Sequence, residues 1–122
     1  ENPTLSSDHI CKEISKKIQK NISIIISDSM TRPYRAGVIN FALASTNVPS
    51  LVDITKQKDI YGNSFKCTEV AIADELASAA GLIMGQGNEQ KPVIIIKGFN
   101  KQNSSEFNAS NLVVTEENDL YR

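Results

Sequence analysis

The residues of this 122-residue chain best suited to chemistry carry oxygen donors or positive charge. Asp28-Ser29 follows the β-branched run Ile22 to Ser27 directly. A carboxylate and a hydroxyl then stand at the carboxyl end of a strand, where α/β proteins tend to place ligand groups. Such oxygen donors suit magnesium or manganese, ions that often bridge to nucleotide phosphates. The plainer alternative is an aspartate that opens a loop through an Asx-turn. Arg32-Pro33-Tyr34-Arg35 sets two guanidiniums three residues apart around a proline, an arrangement able to clamp phosphate or carboxylate. Its alternative is a surface loop with two solvated arginines.

A third stretch, Met84-Gly85-Gln86-Gly87-Asn88-Glu89-Gln90-Lys91, carries two glycines, several amide and carboxylate side chains and a lysine. A loop of this kind presents backbone N–H groups to phosphates. It is not a Walker loop, because the helix precedes it rather than follows it. A polar helix–strand connection is the alternative. Glu69, Asp74 and Glu75 lie on an alanine-rich helix, where one could be a buried acid or a metal-linked group; for Asp74 and Glu75 a solvated face is the better reading.

Several classes of function drop out. Thirteen basic and 14 acidic residues give a net charge of −1, so neither a basic nucleic-acid footprint nor a solvated acidic tail is expected. No apolar run is long enough for a membrane span. The only histidine, His9, reads as a surface residue at the start of a helix. Cys11 and Cys67 lack metal spacing or a nearby base and read as small core residues. Nucleophilic catalysis therefore has no candidates, and the chemistry left is centred on metal and phosphate. Three Asn-x-Ser matches, at Asn21, Asn103 and Asn108, read as chance in an Asn- and Ser-rich chain, and a cytoplasmic location is expected.

These residues need a scaffold. After a polar, extended lead-in over 1–7, Ser7 or Asp8 is placed to cap a helix over about 8–20. Ile10, Ile14 and Ile18 form its apolar row and Lys12, Lys16, Lys17 and Lys20 its polar face. Asn21 stops it. Ile22 to Ser27 reads as a strand buried on both faces, and 28–37 as a loop. Val38 to Ser45 is a strand, Leu51-Val52 a short one, and Phe65 to Cys67 another. Thr68 caps a second helix whose apolar face runs from Val70 to Ile83 and which ends at Gly85. Pro92 to Lys97 reads as a second buried strand, 99–111 as a long loop or short helix, and Leu112-Val113-Val114 as a final strand. The class is mixed α+β, one domain over 1–122, with Ile/Val-rich strands flanked by two amphipathic helices and no Rossmann or P-loop fold.

Taken in order, the segments resemble a known family. They are Ile26-Ser27-Asp28-Ser29, Arg32-Pro33-Tyr34-Arg35-Ala36-Gly37, Asp59-Ile60-Tyr61-Gly62 and the run Thr68-Glu69-Val70-Ala71-Ile72-Ala73-Asp74-Glu75-Leu76-Ala77-Ser78-Ala79-Ala80. Met84-Gly85-Gln86, Pro92 to Gly98 and Asn118-Asp119-Leu120-Tyr121-Arg122 complete the set. Together they resemble the carboxyl-terminal half of the coenzyme F-420-0:L-glutamate ligases, or gamma-glutamyl ligases. The resemblance covers nearly the whole chain. It departs from the family at Thr31, usually Gly, at Asp53-Ile54-Thr55-Lys56, and at Gly87-Asn88-Glu89-Gln90, usually Ala-Asp-Glu-Gly.

The resemblance implies a GTP-dependent ligase of coenzyme F-420 biosynthesis. Such an enzyme activates a carboxylate of the deazaflavin precursor as an acyl phosphate, and the amine of L-glutamate then attacks. It implies two divalent-metal sites, magnesium or manganese. Asp28 matches a ligand of the first, and Ser29 and Gln86 ligands of the second. Met84 to Lys91 matches the GTP-binding loop, and Arg32 and Arg35 match a basic loop read here as binding phosphate or the substrate carboxylate. A homodimer is also implied. Family members are about twice this length, and the first residue is Glu1, so a cut chain is expected that cannot ligate alone. The other readings are a diverged, non-catalytic binding or assembly module, and another GTP- or ATP-dependent carboxylate–amine ligase.

Overall fold

The computed structural model describes residues 2–100 and 108–119. Its first helix, α1, runs from Pro3 to Ile18. Asn2 caps it, its side chain accepting from the backbone N–H of Thr4 at 3.0 Å and of Leu5 at 3.3 Å. Proline at the first helical position needs no N–H partner, which makes Asn2-Pro3 a sound start. The helix therefore begins five residues before the sequence reading placed it. Ser7 and Asp8 have another task. Ser7 Oγ lies 2.8 Å from Thr46 Oγ1, and that hydroxyl donates to Asp8 Oδ1 at 2.8 Å. These contacts moor the helix to a strand. The buried pair is Ser7 and Cys11, one turn apart, whereas Ile10, Ile14 and Ile18 stay more than a third exposed. Gln19, in left-handed conformation at φ 52°, ends the helix in place of Asn21.

The main sheet is one long antiparallel hairpin. Strand β1 spans Ile24–Arg32 and β2 spans Arg35–Thr46. The stretch 28–37, expected to be a loop, is the far half of this hairpin, with only Pro33 and Tyr34 between the strands. Tyr34 turns the chain at φ 55°. Two irregularities shape the ladder. Leu43 is an extra residue on β2 between the pairs Ile26↔Ala44 and Ser27↔Ala42. Ala36, Gly37 and Val38 stand opposite Thr31 alone. Such bulges increase local twist and re-aim side chains. β1 is half-buried rather than enclosed on both faces, because the hairpin is a sheet of just two strands.

A two-residue ladder joins β3, Val52–Asp53, to β4, Glu69–Val70. It takes up the segment expected to cap the second helix. The carbonyl of Thr68 accepts from Ile54 N–H at 3.1 Å, so Thr68 belongs to this sheet and Phe65 to Cys67 forms no strand. Helix α2, Ile72–Met84, starts at Ala71 without a side-chain cap. The N–H of Ala73 instead finds the carbonyl of Ser50 at 3.2 Å. Ile72, Ala73 and Ala77 face inward, and Gly85 ends the helix as its position suggests.

The core gathers Cys11, Ala44, Val48, Val52, Ile72, Ala73, Ala77 and Ala109. Small residues dominate it, so the helices approach the hairpin closely. The mixed α+β class stands, but the strand reading of 92–97 does not. None of the four strands among the described residues pairs with this segment, and Val93 and Ile95 are each 77% exposed. β-Branched composition favours extended backbone, yet a strand exists only through its ladder. Leu112 closes a single 3-10 turn, Ala109–Leu112, and Val113-Val114 is exposed, so no final strand forms there. Cys67 is exposed and only Cys11 is a core cysteine. Leu120-Tyr121-Arg122 and Asn103 lie outside the described residues. No helix among the described residues is long and apolar enough to cross a membrane.

Candidate functional site

Asp28 and Ser29 sit inside β1 rather than at its carboxyl end. Consecutive strand residues project to opposite faces of a sheet. The two side chains thus part company: Asp28, paired with Phe41, is exposed, and Ser29, paired with Asn40, is half-buried. Directly opposed residues share a face, with their Cβ atoms about 5 Å apart. Asn40 therefore stands beside Ser29, and it is 6% exposed.

Asn40 is also where the second half of the site arrives. Gln86 Nε2 donates to Asn40 Oδ1 at 2.5 Å. Ser78 Oγ donates to the Asn40 carbonyl at 2.8 Å, fixing α2 on the same stretch of β2. Gly81 completes the fit. A Cβ there would fall 2.8 Å from both Cγ and Oδ1 of Asn40, so a bare backbone is needed for the amide to reach Gln86. In the first turn of α2, Asp74 Oδ1 accepts from Ala42 N–H at 2.8 Å. Asp74 is half-buried and structural, whereas Glu75 is exposed as expected.

The 84–91 loop is held by its own acid. Glu89 Oε2 accepts from Gly87 N–H at 2.9 Å. Gly85 has φ 79°, and a Cβ on it would collide with the Glu89 carboxyl group. Gln90 takes a left-handed φ of 54° and its amide donates to Asn88 Oδ1 at 3.4 Å. Arg32 and Arg35 face each other across the hairpin end. Arg32 Nη1 donates to the Gly37 carbonyl at 3.3 Å, which steadies one of the two guanidiniums. Arg32 stands three strand residues beyond Ser29, about 10 Å along β1.

The fold thus brings Ser29 and Gln86 together through Asn40, pairs Arg32 with Arg35, and turns Asp28 to the other face. The sequence model of the F420-0:Gamma-glutamyl ligase family matches residues 1–98. The chain belongs to this family. Among its relatives, the coenzyme F420:L-glutamate ligase of Methanocaldococcus jannaschii is 46% identical over 99 residues, which are 81% of this chain and 40% of that protein. The enzyme of the same name from Methanococcus maripaludis is 40% identical over 99% of this chain and 48% of its own. That of Archaeoglobus fulgidus is 31% identical over the same shares. The chain spans about half the length of the curated relatives it matches.

Members of this gamma-glutamyl ligase family are ligases, and the donors present here are hard oxygens. The Ser29 hydroxyl and the Gln86 amide oxygen lie on one side of the hairpin and the Asp28 carboxylate on the other, and each is a donor of the kind that magnesium or manganese takes. Gln86 donates through Nε2, so its Oε1 is the atom left to face a cation. Among the described residues no three His, Cys, Asp or Glu gather in one place. Reasoning from sequence missed Asn40, Ser78 and Gly81. A polar residue amid Val38, Ile39 and Phe41 was the available signal for the first.

Proposed function

We propose that this chain is the carboxyl-terminal portion of a GTP-dependent gamma-glutamyl ligase that adds L-glutamate to the deazaflavin precursor F-420-0. It forms one domain of a cytoplasmic homodimer. Asp28 serves one divalent cation, and Ser29 with Gln86 a second. Met84 to Lys91 binds GTP, and Arg32 with Arg35 holds a phosphate or the substrate carboxylate. The junction at Asn40 is the observation that supports this reading: it sets the start of the 84–91 loop beside Ser29, as a cation shared by Ser29 and Gln86 would require.

In this chemistry the precursor carboxylate attacks the γ-phosphorus of GTP, and GDP leaves. The amine of glutamate then attacks the acyl phosphate carbonyl. Inorganic phosphate departs, the amine loses a proton, and an amide bond remains. Two divalent ions supply charge stabilisation at the phosphates when bound. The basic pair at the hairpin tip adds fixed positive charge where oxygen charge develops.

The test uses the full reading frame containing this segment, supplied with GTP, manganese, L-glutamate and F-420-0. Mass spectrometry should show the precursor gaining one or more glutamyl residues. Asp28→Asn should abolish that gain while circular dichroism stays unchanged. The 122 residues alone should be inactive. Nucleotide and metal binding without glutamyl transfer would favour another ligase, and no nucleotide binding at all would favour a non-catalytic module.

A further inference from the structure

Asn40 has a place in the site that none of the motif residues has. It is a polar side chain on an otherwise apolar stretch of β2, nearly fully buried, and its amide oxygen is used by Gln86. A buried amide inside a small-residue core carries a desolvation cost unless it is hydrogen-bonded. Here it is bonded on terms that also orient another residue. By accepting a hydrogen bond from Nε2, Asn40 fixes which end of the Gln86 amide points away. Gly81 leaves the space this requires, and Ser78 ties the Asn40 backbone to α2 from the same side. Ser78 and Gly81 of α2 and Gln86 just past its end thus converge on one strand residue, Ser78 at its carbonyl and the other two at its side chain.

We infer that Asn40 is a positioning residue: it holds Gln86 so that Oε1 and the Ser29 hydroxyl present themselves together to one divalent cation. This rests on the reading of Ser29 and Gln86 as cation ligands. Asn40 does not itself touch the cation in this role. It acts as the outer partner that orients a ligand, a kind of group whose loss typically weakens metal affinity about 10- to 100-fold.

The experiment is a manganese(II) titration of the full-length protein, read by the electron paramagnetic resonance signal of free manganese. The variants are Asn40→Ala, Gly81→Ala, Gln86→Ala and the double variant Asn40→Ala/Gln86→Ala. Asn40→Ala and Gly81→Ala should each weaken the site that Gln86 serves by about tenfold. The double variant should bind no more weakly than Gln86→Ala, because Asn40 has nothing left to orient. A merely structural Asn40 would instead add its loss to that of Gln86→Ala, and that additivity would overturn the inference. So would unchanged affinity in Asn40→Ala. If Asn40→Ala fails to fold, Gly81→Ala decides: it displaces the amide while placing a better helix former in α2, and wild-type affinity there overturns the role. Wild-type protein that binds no manganese overturns the ligand reading itself, a result distinct from wild-type binding that the variants leave intact.

Discussion

The carboxylate of Asp74 reaches across from the first turn of α2 to accept the N–H of Ala42 at 2.8 Å. Ala42 pairs with Ser27, next to the bulge at Leu43, so this bond ties the helix to β2 where the hairpin ladder is irregular. An acid in the first helical turn is also favoured by the helix dipole. One side chain thereby serves both elements that hold the candidate site.

Asp74→Ala should leave the Ala42 N–H without its acceptor. The cost of an orphaned, partly buried donor is about 1–3 kcal/mol. Thermal unfolding should show a melting point lower by several degrees, and Asp74→Asn, which keeps an oxygen in reach, should lose less. A melting point unchanged in Asp74→Ala would mean that water replaces the carboxylate freely.

Some of this architecture is legible in the residues and some is not, for physical reasons. Hydrophobic period reports burial, so Val38 to Ser45 and the alanine-rich helix stand out. The hairpin tip is exposed apart from a half-buried Arg32 and gives no such signal; Arg32-Pro33-Tyr34-Arg35 reads as a loop although both arginines are strand residues. The start of α1 is written in Asn2-Pro3, but the apolar row that draws attention begins only at Ile10. Pro92 to Lys97 has the composition of a core strand and lacks a ladder partner among the described strands. The site was legible as separate motifs. Their junction was not, because Asn40 and Gly81 bear no motif and act only through the register that pairs Ser29 with Asn40.

Asn2→Ala tests the reading of the first helix. The two N–H groups of Thr4 and Leu5 would lose their acceptor. Loss of a good N-cap costs about 1 kcal/mol. Asn2→Asp should match wild type or exceed it, since a carboxylate accepts the same bonds and suits the helix dipole. Hydrogen exchange should accelerate at residues 4 and 5 in the alanine variant and spare α2. Uniform protection would argue that the mooring of Ser7 and Asp8 to Thr46 alone sets the start of the helix.

Asp59 provides a pH prediction. Its carboxylate accepts from Asn63 through both side chain and backbone, and also from Tyr61 N–H. The Asn63 bonds, foremost among the causes, lower its pKa from the ordinary aspartate value of 3.8. A group whose folded pKa is depressed stabilises the native state above the unfolded pKa and loses that contribution as pH falls through the folded one. The 59–63 turn should therefore hold at neutral pH and loosen only below about 3.8. Carboxyl resonances followed by NMR should place the Asp59 midpoint below that of an exposed aspartate, and Asn63→Ala should move it upward. A midpoint indifferent to Asn63 would remove these hydrogen bonds as the cause.

Gly85 and Gly87 lie two residues apart in the loop proposed to bind nucleotide, yet only one should be sensitive to a methyl group. Gly85 combines φ 79° with ψ −178°, a region that side chains avoid, at a cost of about 1–3 kcal/mol. Its added Cβ would also strike the Glu89 carboxyl group, which holds the Gly87 N–H. At Gly87 the nearest atom to a new Cβ is Glu89 Oε2 at 3.6 Å, an ordinary contact. Gly85→Ala should lower the melting point and weaken GDP binding in calorimetry of the full-length protein, and Gly87→Ala should leave the melting point close to wild type. Equal losses in the two variants would show that the loop demands small residues throughout, and that neither the backbone angle of Gly85 nor its approach to Glu89 makes the difference.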